Sequence, residues 1–267
     1  MSELEEYQKT PRSTVNRLKK RAVYDHDTVH NIIDSVPVLH VSFVPVSLED
    51  DPFPATLPML GCTGSFTSES PDAVLSIYLH GYVSSRLMKL PASNVSEEEL
   101  PGTPVCIAAT HLDGLVLALT PFHHSCNYRS AIVHGWAHIV TNSAEKIYAL
   151  ERITDNMLSN RWENTRVPPT KAEMDSTGVL RVDIVSASAK VRAGGPSDDR
   201  PDLKDEELTQ RVWTGVVPSW IQYGEPIPGP NNHVGSVPDY ITKWVQWENE
   251  KNGRQARDAV FLEVNKK

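Results

Sequence analysis

A chain of 267 residues, 39% hydrophobic and 22% charged, is long enough to enclose one sizeable core, or one domain and an extension. Its formal net charge of -8 speaks against nucleic acid or an anionic membrane as a principal partner, and no apolar run approaches the roughly 20 residues of a membrane span. Three cysteines, Cys62, Cys106 and Cys126, without a Cys-x-x-Cys pair fit reduced thiols, and the acidic N-terminus lacks the basic start and apolar run of a signal peptide, so a cytoplasmic protein is expected.

In chain order, residues 1–13 are polar and expected to be flexible. Asn16 to Arg21 is a basic cluster that reads first as a solvated face. Asp27 is expected to cap a helix carrying Ile32, Ile33 and Val36, ended by Pro37. Val38 to Val46 reads as a first strand, Leu48 to Pro54 as an acidic, Pro-rich turn, and Ala55 to Thr63 as a second strand. Between Val74 and Ala137, three apolar runs rich in Val, Ile and Leu are bounded by Gly, Pro, Ser or Asn, the pattern of strands in one antiparallel sheet. A polar loop over residues 91–104 separates the first two. Cys106, in an apolar run, reads as a small core residue. Asp113, in His111-Leu112-Asp113-Gly114, is expected to make a turn between two strands.

Residues 143–158 form an amphipathic pattern, with Ser143 as cap and Ile147, Leu150, Ile153, Met157 and Leu158 at helical spacing, read as a packing helix. Val179 to Ser186 alternates apolar and polar as a late strand, and feeds Ala187 to Arg192 and a Gly-Gly-Pro turn. Residues 221–235 are linker-like. Pro238 to Asn252 then places Tyr240, Ile241, Trp244, Val245 and Trp247 on an expected helix, which packs back on the main domain or across a dimer seam.

The chemistry-bearing stretch is His80-Gly81-Tyr82-Val83-Ser84-Ser85-Arg86, which opens a short helix expected over Leu87 to Leu90. Backbone N–H groups at a helix start, two hydroxyls and a guanidinium have the composition of a phosphate cradle; as a local pattern, a helix cap beside a solvated Arg is the alternative. No Gly-x-Ser-x-Gly elbow, Gly-x-Gly-x-x-Gly turn or His-Glu-x-x-His pattern occurs. The ten histidines include His123-His124, His134 and His138, whose strand spacings do not converge on one centre, so no metal site is expected.

Taken in order, Arg17 to Asp25, Tyr78-Leu79-His80-Gly81, Ser85-Arg86, Thr110-His111-Leu112-Asp113-Gly114, Asn127-Tyr128-Arg129-Ser130, Arg161-Trp162, Ser188-Ala189-Lys190-Val191-Arg192 and Trp213 to Pro218 resemble the FMN-binding split-barrel proteins. The closest branch is the pyridoxamine 5'-phosphate oxidase-like one, called flavin-nucleotide-binding or nitroimidazole-reductase-like. The resemblance implies a mostly β (α+β) fold, a six-stranded antiparallel split β-barrel with flanking helices over residues 14–220, followed by a linker and helical extension over 221–267. It also implies a homodimer with FMN at its seam. Arg86, Ser84 and Ser85 would hold the phosphate; the basic cluster at Asn16 to Arg21 is a further candidate for it. Tyr128, Arg129 and Ser130 would lie at the ribityl chain or ring, and Lys190 and Arg192 near the phosphate or the flavin N1–C2=O edge. Tyr78, His80, Thr110 and His111 belong to matching segments, the two histidines as pocket contacts or as structural hydrogen bonds near it. Trp213 and the C-terminal aromatics would close the site.

The resemblance implies FMN rather than FAD, since the chain offers one compact phosphate site and no diphosphate or adenine motif. The expected function is an FMN-dependent oxidoreduction of a small molecule, with no catalytic side chain identified; a non-catalytic flavin- or haem-binding protein is the alternative. Two departures stand out. Leu57-Pro58-Met59-Leu60-Gly61-Cys62 replaces the polar pair and aromatic of the branch along the isoalloxazine edge. The C-terminus from Ala259 to Lys267 lacks the Trp-Arg-x-Pro-x-Arg signature of true pyridoxamine phosphate oxidases, which disfavours vitamin B6 oxidation.

Overall fold

Alternation of buried and exposed residues along β-branched runs builds the strands of this protein, described in a computed structural model for residues 5–45, 53–68, 70, 73–93 and 102–262. Among the described residues nine strands form: β1 (Ala22–Val23), β2 (Leu39–Phe43), β3 (Ala55–Met59), β4 (Gly61–Gly64), β5 (Ser76–Tyr82), β6 (Thr103–Leu117), β7 (Ser125–Ile139), β8 (Thr177–Arg192) and β9 (Gly215–Pro218). The helices are α1 (His26–Ser35), α2 (Arg86–Ser93), α3 (Ser143–Met157), α4 (Lys171–Ser176), α5 (Arg200–Lys204), α6 (Glu206–Arg211) and α7 (Asp239–Phe261). Two compact units result: the first comprises Met1–Val15, Val23–Ala109 and Ala131–Ala189, the second Asn16–Ala22, Thr110–Ser130 and Lys190–Lys267.

In the first unit the strand order is β3-β2-β6-β7-β8-β5-β4. Its two ends are consecutive in the chain, with only Leu60 between them, so the sheet closes on itself as a barrel. The pairings of β2 with β3 and β6, and of β5 with β4 and β8, are antiparallel: Val41 lies opposite both Leu57 and Ile107, and Leu79 opposite both Gly61 and Leu180. Leu39, Val41, Ile77, Leu79, Ile107, Val133, Leu180 and Val182 fill the interior together with Val29 and Ile33 of α1. Each such side chain contributes about 1.5–3 kcal/mol on burial. On the other face of β5, Tyr78 joins Cys62, Val140, Val179 and the α3 residues Ala149 and Ile153 in a second apolar cluster.

The second unit contains the antiparallel pairing of β9 with the end of β6, Gly114 opposite Pro218 and Leu117 opposite Gly215. Helix α7 packs on β9 in the same unit.

Several expectations are corrected. Nine strands stand where six were expected, because the segment Ala55 to Thr63 bends at Leu60 into β3 and β4, and two short strands, β1 and β9, are added. A Cβ on Gly61 would stand 2.6 Å from the Tyr78 carbonyl oxygen, so only glycine lets β4 lie this close to β5. Residues 5–13 are tied down: Tyr7 N–H donates to the Tyr24 carbonyl at 2.9 Å, and the Tyr7 ring packs against His26. Asp25, not Asp27, caps α1, since its extended backbone lets Oδ1 accept from Thr28 N–H at 2.7 Å. Asn142, not Ser143, caps α3 through Oδ1.

The expected turn at Asp113-Gly114 is absent: β6 runs straight through it, and the reversal comes at residues 118–124 with a 3-10 turn at Pro121–His123. Strand β8 spans the whole of Thr177–Arg192, and α7 continues past Asn252 to Phe261. Cys106 is half-buried, whereas Cys62 is the fully enclosed thiol, pushed up to about 12 by burial and then by the Asp34 charge. Most of the expected 48–54 turn and much of the 91–104 loop lie outside the described residues. No helix among the described residues is long and apolar enough to cross a membrane.

The closest strand contact predicts the most sensitive glycine. A Cβ on Gly135 of β7 would meet the Asp183 carbonyl oxygen of β8 at 2.4 Å, and neither backbone can yield without breaking the barrel. Gly135→Ala is expected to cost about 2–3 kcal/mol in urea unfolding. Gly224→Ala, where a Cβ meets nothing within 4 Å, should be neutral or stabilising by up to about 1 kcal/mol.

Candidate functional site

The expected site residues divide between the two units, and each group is built by its own local structure. In the first unit, the alternation of β5 turns Tyr78 away from the barrel interior and into the cluster beneath α3. It is 1% exposed, and its hydroxyl donates to Glu145 Oε1 at 3.0 Å, an oxygen that also accepts from Arg181 Nη1 at 3.2 Å. Tyr78 is therefore spent on the core. His80, two residues on, is half-buried, and burial lowers its pKa, which keeps the ring neutral at pH 7.

After Tyr82 the chain turns tightly. Ser85 N–H donates to the Tyr82 carbonyl at 2.8 Å, Lys89 N–H to the Ser85 carbonyl at 3.3 Å, and α2 begins at Arg86. Leu87 and Met88 anchor the helix, 0% and 2% exposed. A Cβ on Gly81 would stand 3.1 Å from Met88 Cε, so the glycine makes room for the anchor. With Leu87 and Met88 inside, Ser84 and Arg86 are left on the exposed side. Among the described residues no carboxylate pairs with Arg86. A hydroxyl, a guanidinium and the first amides of a helix thus share one exposed helix start, an arrangement that can take a phosphate.

The second unit holds the remaining residues. Arg129 of β7 donates from Nε and Nη2 to the two Asp113 carboxylate oxygens, both at 2.9 Å, and Asp113 is 4% exposed. The Asp113 carbonyl also accepts from Ser219 N–H at 3.1 Å. The Arg129 fork is thereby committed to joining β6, β7 and the segment after β9. Ser130 donates its hydroxyl to the Lys190 carbonyl at 3.2 Å. Tyr128 and Lys190 are half-buried, Thr110 is exposed on β6, and Trp213, 65% exposed, lays its ring against Gly215.

His111 is pushed down to about 4, first by burial and then by the Arg129 charge, against the opposing pull of Asp113. Arg192 is 4% exposed; Nη1 donates to Asn127 Oδ1 and to the Gly194 carbonyl, and Nη2 to the Gly195 carbonyl at 3.1 Å. Its Nε has no partner among the described residues.

A cavity of about 560 Å³ in the second unit brings Lys20 and Arg21 to Arg192 and the loop that follows it, two segments that the resemblance separately offers to the flavin phosphate. The basic cluster was visible, but its convergence with a loop some 170 positions later in the chain has no local signal. The paired histidines have separate duties: His123 Nδ1–H donates to the Ser197 carbonyl at 2.6 Å, and His124 Nδ1 accepts from Ala118 N–H at 2.9 Å. Among the described residues no three His, Cys, Asp or Glu side chains converge as metal ligands.

Two outcomes follow from these environments. Asp113→Ala leaves a half-buried guanidinium without its bidentate partner and is expected to cost about 2–3 kcal/mol, read by chemical denaturation. His30 and His111, both held near 4 against an ordinary 6.5, stay neutral in the fold while the unfolded chain takes up protons. Their contribution is present in full above pH 6.5 and lost as pH falls toward 4. The thermal midpoint should drop across that window, and His111→Gln should flatten the drop by a few degrees, to about half.

No curated protein matches the chain. Among solved structures it is similar to the flavocytochrome Anf3 from Azotobacter vinelandii, with 30% identity, a TM-score of 0.70, and 88% of this chain and 97% of that one covered. It is also similar to the FAD and heme binding protein from Mycobacterium smegmatis, with 26% identity, a TM-score of 0.66, and 84% and 97% covered. The family model described as pyridoxamine 5'-phosphate oxidase matches residues 25–191, more than half of the length. With its closed antiparallel barrel and flanking helices, this chain belongs to the pyridoxamine 5'-phosphate oxidase family.

Proposed function

We propose that this protein binds a flavin nucleotide and acts in the oxidoreduction of a small molecule. The observation that carries the reading is the likeness to the flavocytochrome over 88% of this chain and 97% of that one, seconded by the FAD and heme binding protein. The residues present fit an anionic nucleotide: the α2 start offers Ser84, Ser85 and Arg86 with no competing carboxylate among the described residues. Bound flavin supplies the hydride or electron chemistry itself, so the chain need contribute no nucleophile. Its residues bind and orient: Arg86 and the serine hydroxyls take the phosphate, and neutral His80 stands by as a hydrogen-bonding group.

The single cradle favours FMN, while the second relative's own ligand makes FAD the competitor. Release of the chromophore and its mass decide between them; FAD would overturn the FMN assignment and leave flavin binding standing. Absence of flavin after reconstitution with excess of both would overturn the function. A haem Soret band in freshly purified protein would support the second reading, a protein that also binds haem, favoured by the names of both relatives. Arg86→Ala is expected to weaken flavin binding by about 1.5–3 kcal/mol, the scale of a charge-assisted pair; unchanged affinity in a fluorescence titration would place the phosphate elsewhere.

We further propose a homodimer in the cytoplasm. Trp213, Trp247 and Phe261 of the second unit are 65%, 56% and 84% exposed, an apolar display that a second copy would cover. Sedimentation of the full chain as a dimer, and a shift toward monomer in Trp247→Glu, are the expected results.

A further inference from the structure

We propose that the outward face of α7 is a self-association surface, on which the α7 of a second copy of this chain lies antiparallel. The helix has two sides with different duties. Gly253, Ala256 and Ala259 are buried, and on their side Asn249 exchanges two hydrogen bonds with the backbone of Tyr223, at 2.7 and 2.8 Å, while Asn252 donates to the Ile221 carbonyl at 3.3 Å. The other side carries Lys243, Trp247, Glu250, Arg254, Asp258 and Phe261, all exposed. At roughly 100° per residue these six lie within about 80° of one another around the helix. Steps of three and four residues are those of a seam between packed helices.

The charges on this face say what covers it. Among the described residues the ion pairs of α7 are Lys243–Asp239 at 3.4 Å and Lys251–Glu248 at 3.1 Å. Glu250, Arg254 and Asp258 alternate in sign one helical turn apart, a spacing at which pairs along the helix can form, and among the described residues none of the three has an ion-pair partner. A groove of about 650 Å³ runs along Trp247, Glu250, Arg254 and Asp258. Trp247 and Phe261 stand near its two ends, 56% and 84% exposed, more aromatic surface than a helix leaves to water without a partner.

A second α7 answers these features in one register. With the two-fold axis between Glu250 and Lys251, an antiparallel copy sets Lys243 against Asp258, Glu250 against Lys251, Trp247 against Arg254 and Tyr240 against Phe261, and symmetry makes each contact twice. Two of these are ion pairs, one lays a guanidinium on an indole ring and one joins two aromatic rings. The neighbouring registers fail. An axis at Arg254 opposes Glu250 to Asp258 and Arg254 to itself, an axis at Trp247 opposes Lys243 to Lys251, and parallel helices oppose every charge to its like. The seam rests on the homodimer reading and supplies the surface and register for it; α7 lies outside residues 25–191, the part of the chain that the family model matches.

The test is sedimentation equilibrium of the full chain, with whatever chromophore it carries, beside Lys243→Asp, Asp258→Lys and the protein carrying both substitutions. Both positions are exposed, so the core is not disturbed. In either single variant two like-charge contacts replace two ion pairs, and the dissociation constant of the dimer is expected to rise about tenfold at low salt. In the double variant each charge again meets its opposite, and the constant should return to within about twofold of the parent value. The two positions stand about 22 Å apart along one helix, so such rescue requires contact between two copies. Equal constants in the parent and all three variants would leave the dimer standing and overturn the seam, and loss in the single variants without rescue in the double would overturn the register. A parent that sediments as a monomer at every concentration would overturn the dimer and the seam together.

Discussion

Everything in the first unit depends on one bend. The segment from Ala55 to Gly64 pairs with β2 through its first half and with β5 through its second, and the change of partner takes place at Leu60. Because β3 and β4 are the two ends of the strand order, this single segment closes the sheet and leaves neither end as an exposed edge. Gly61 makes the closure possible, since any side chain there would collide with the backbone of β5. The barrel interior can then be filled by Leu, Ile and Val from every strand.

Closure also decides which polar groups stay available. Tyr78, Glu145 and Arg181 satisfy one another in the first unit, and Arg129 with Asp113 does the same in the second. Groups buried beside strands must find partners within the fold, because an unpaired one costs more than a hydrogen bond returns. Among the described residues, Arg86 at the exposed start of α2 pairs with no carboxylate, and three buried side-chain atoms, Thr103 Oγ1, His134 Nδ1 and Arg192 Nε, lack a partner.

The misread elements share a cause. Asp113-Gly114 has the composition of a turn, and a local rule assigns it one. Arg129 on the neighbouring strand overrides that rule, since a bidentate ion pair holds Asp113 inside a continuous β6. The caps of α1 and α3 each lie one or two residues before their expected positions, because a side chain must stand just outside the helix to reach its first amides, and two acceptors lay within reach of each start. Tyr78 and Ser130 match a flavin-binding pattern by segment, yet their hydroxyls are engaged within the fold. A shared segment does not tell which of its side chains faces a ligand.

The sequence by itself determined the strands from Val74 onward, the amphipathic α3, the C-terminal helix and the family, because these rest on periodicity and on many short segments in a fixed order. It also placed Ser84, Ser85 and Arg86 at a helix start, since capping and turn chemistry act within a few residues. Only the tertiary structure decided that the sheet closes at Leu60, that Asp113 pairs rather than turns, and that Lys20 and Arg21 share a cavity with Arg192. Each of these joins residues far apart in the chain, where neither propensity nor spacing carries information and packing alone chooses the partner.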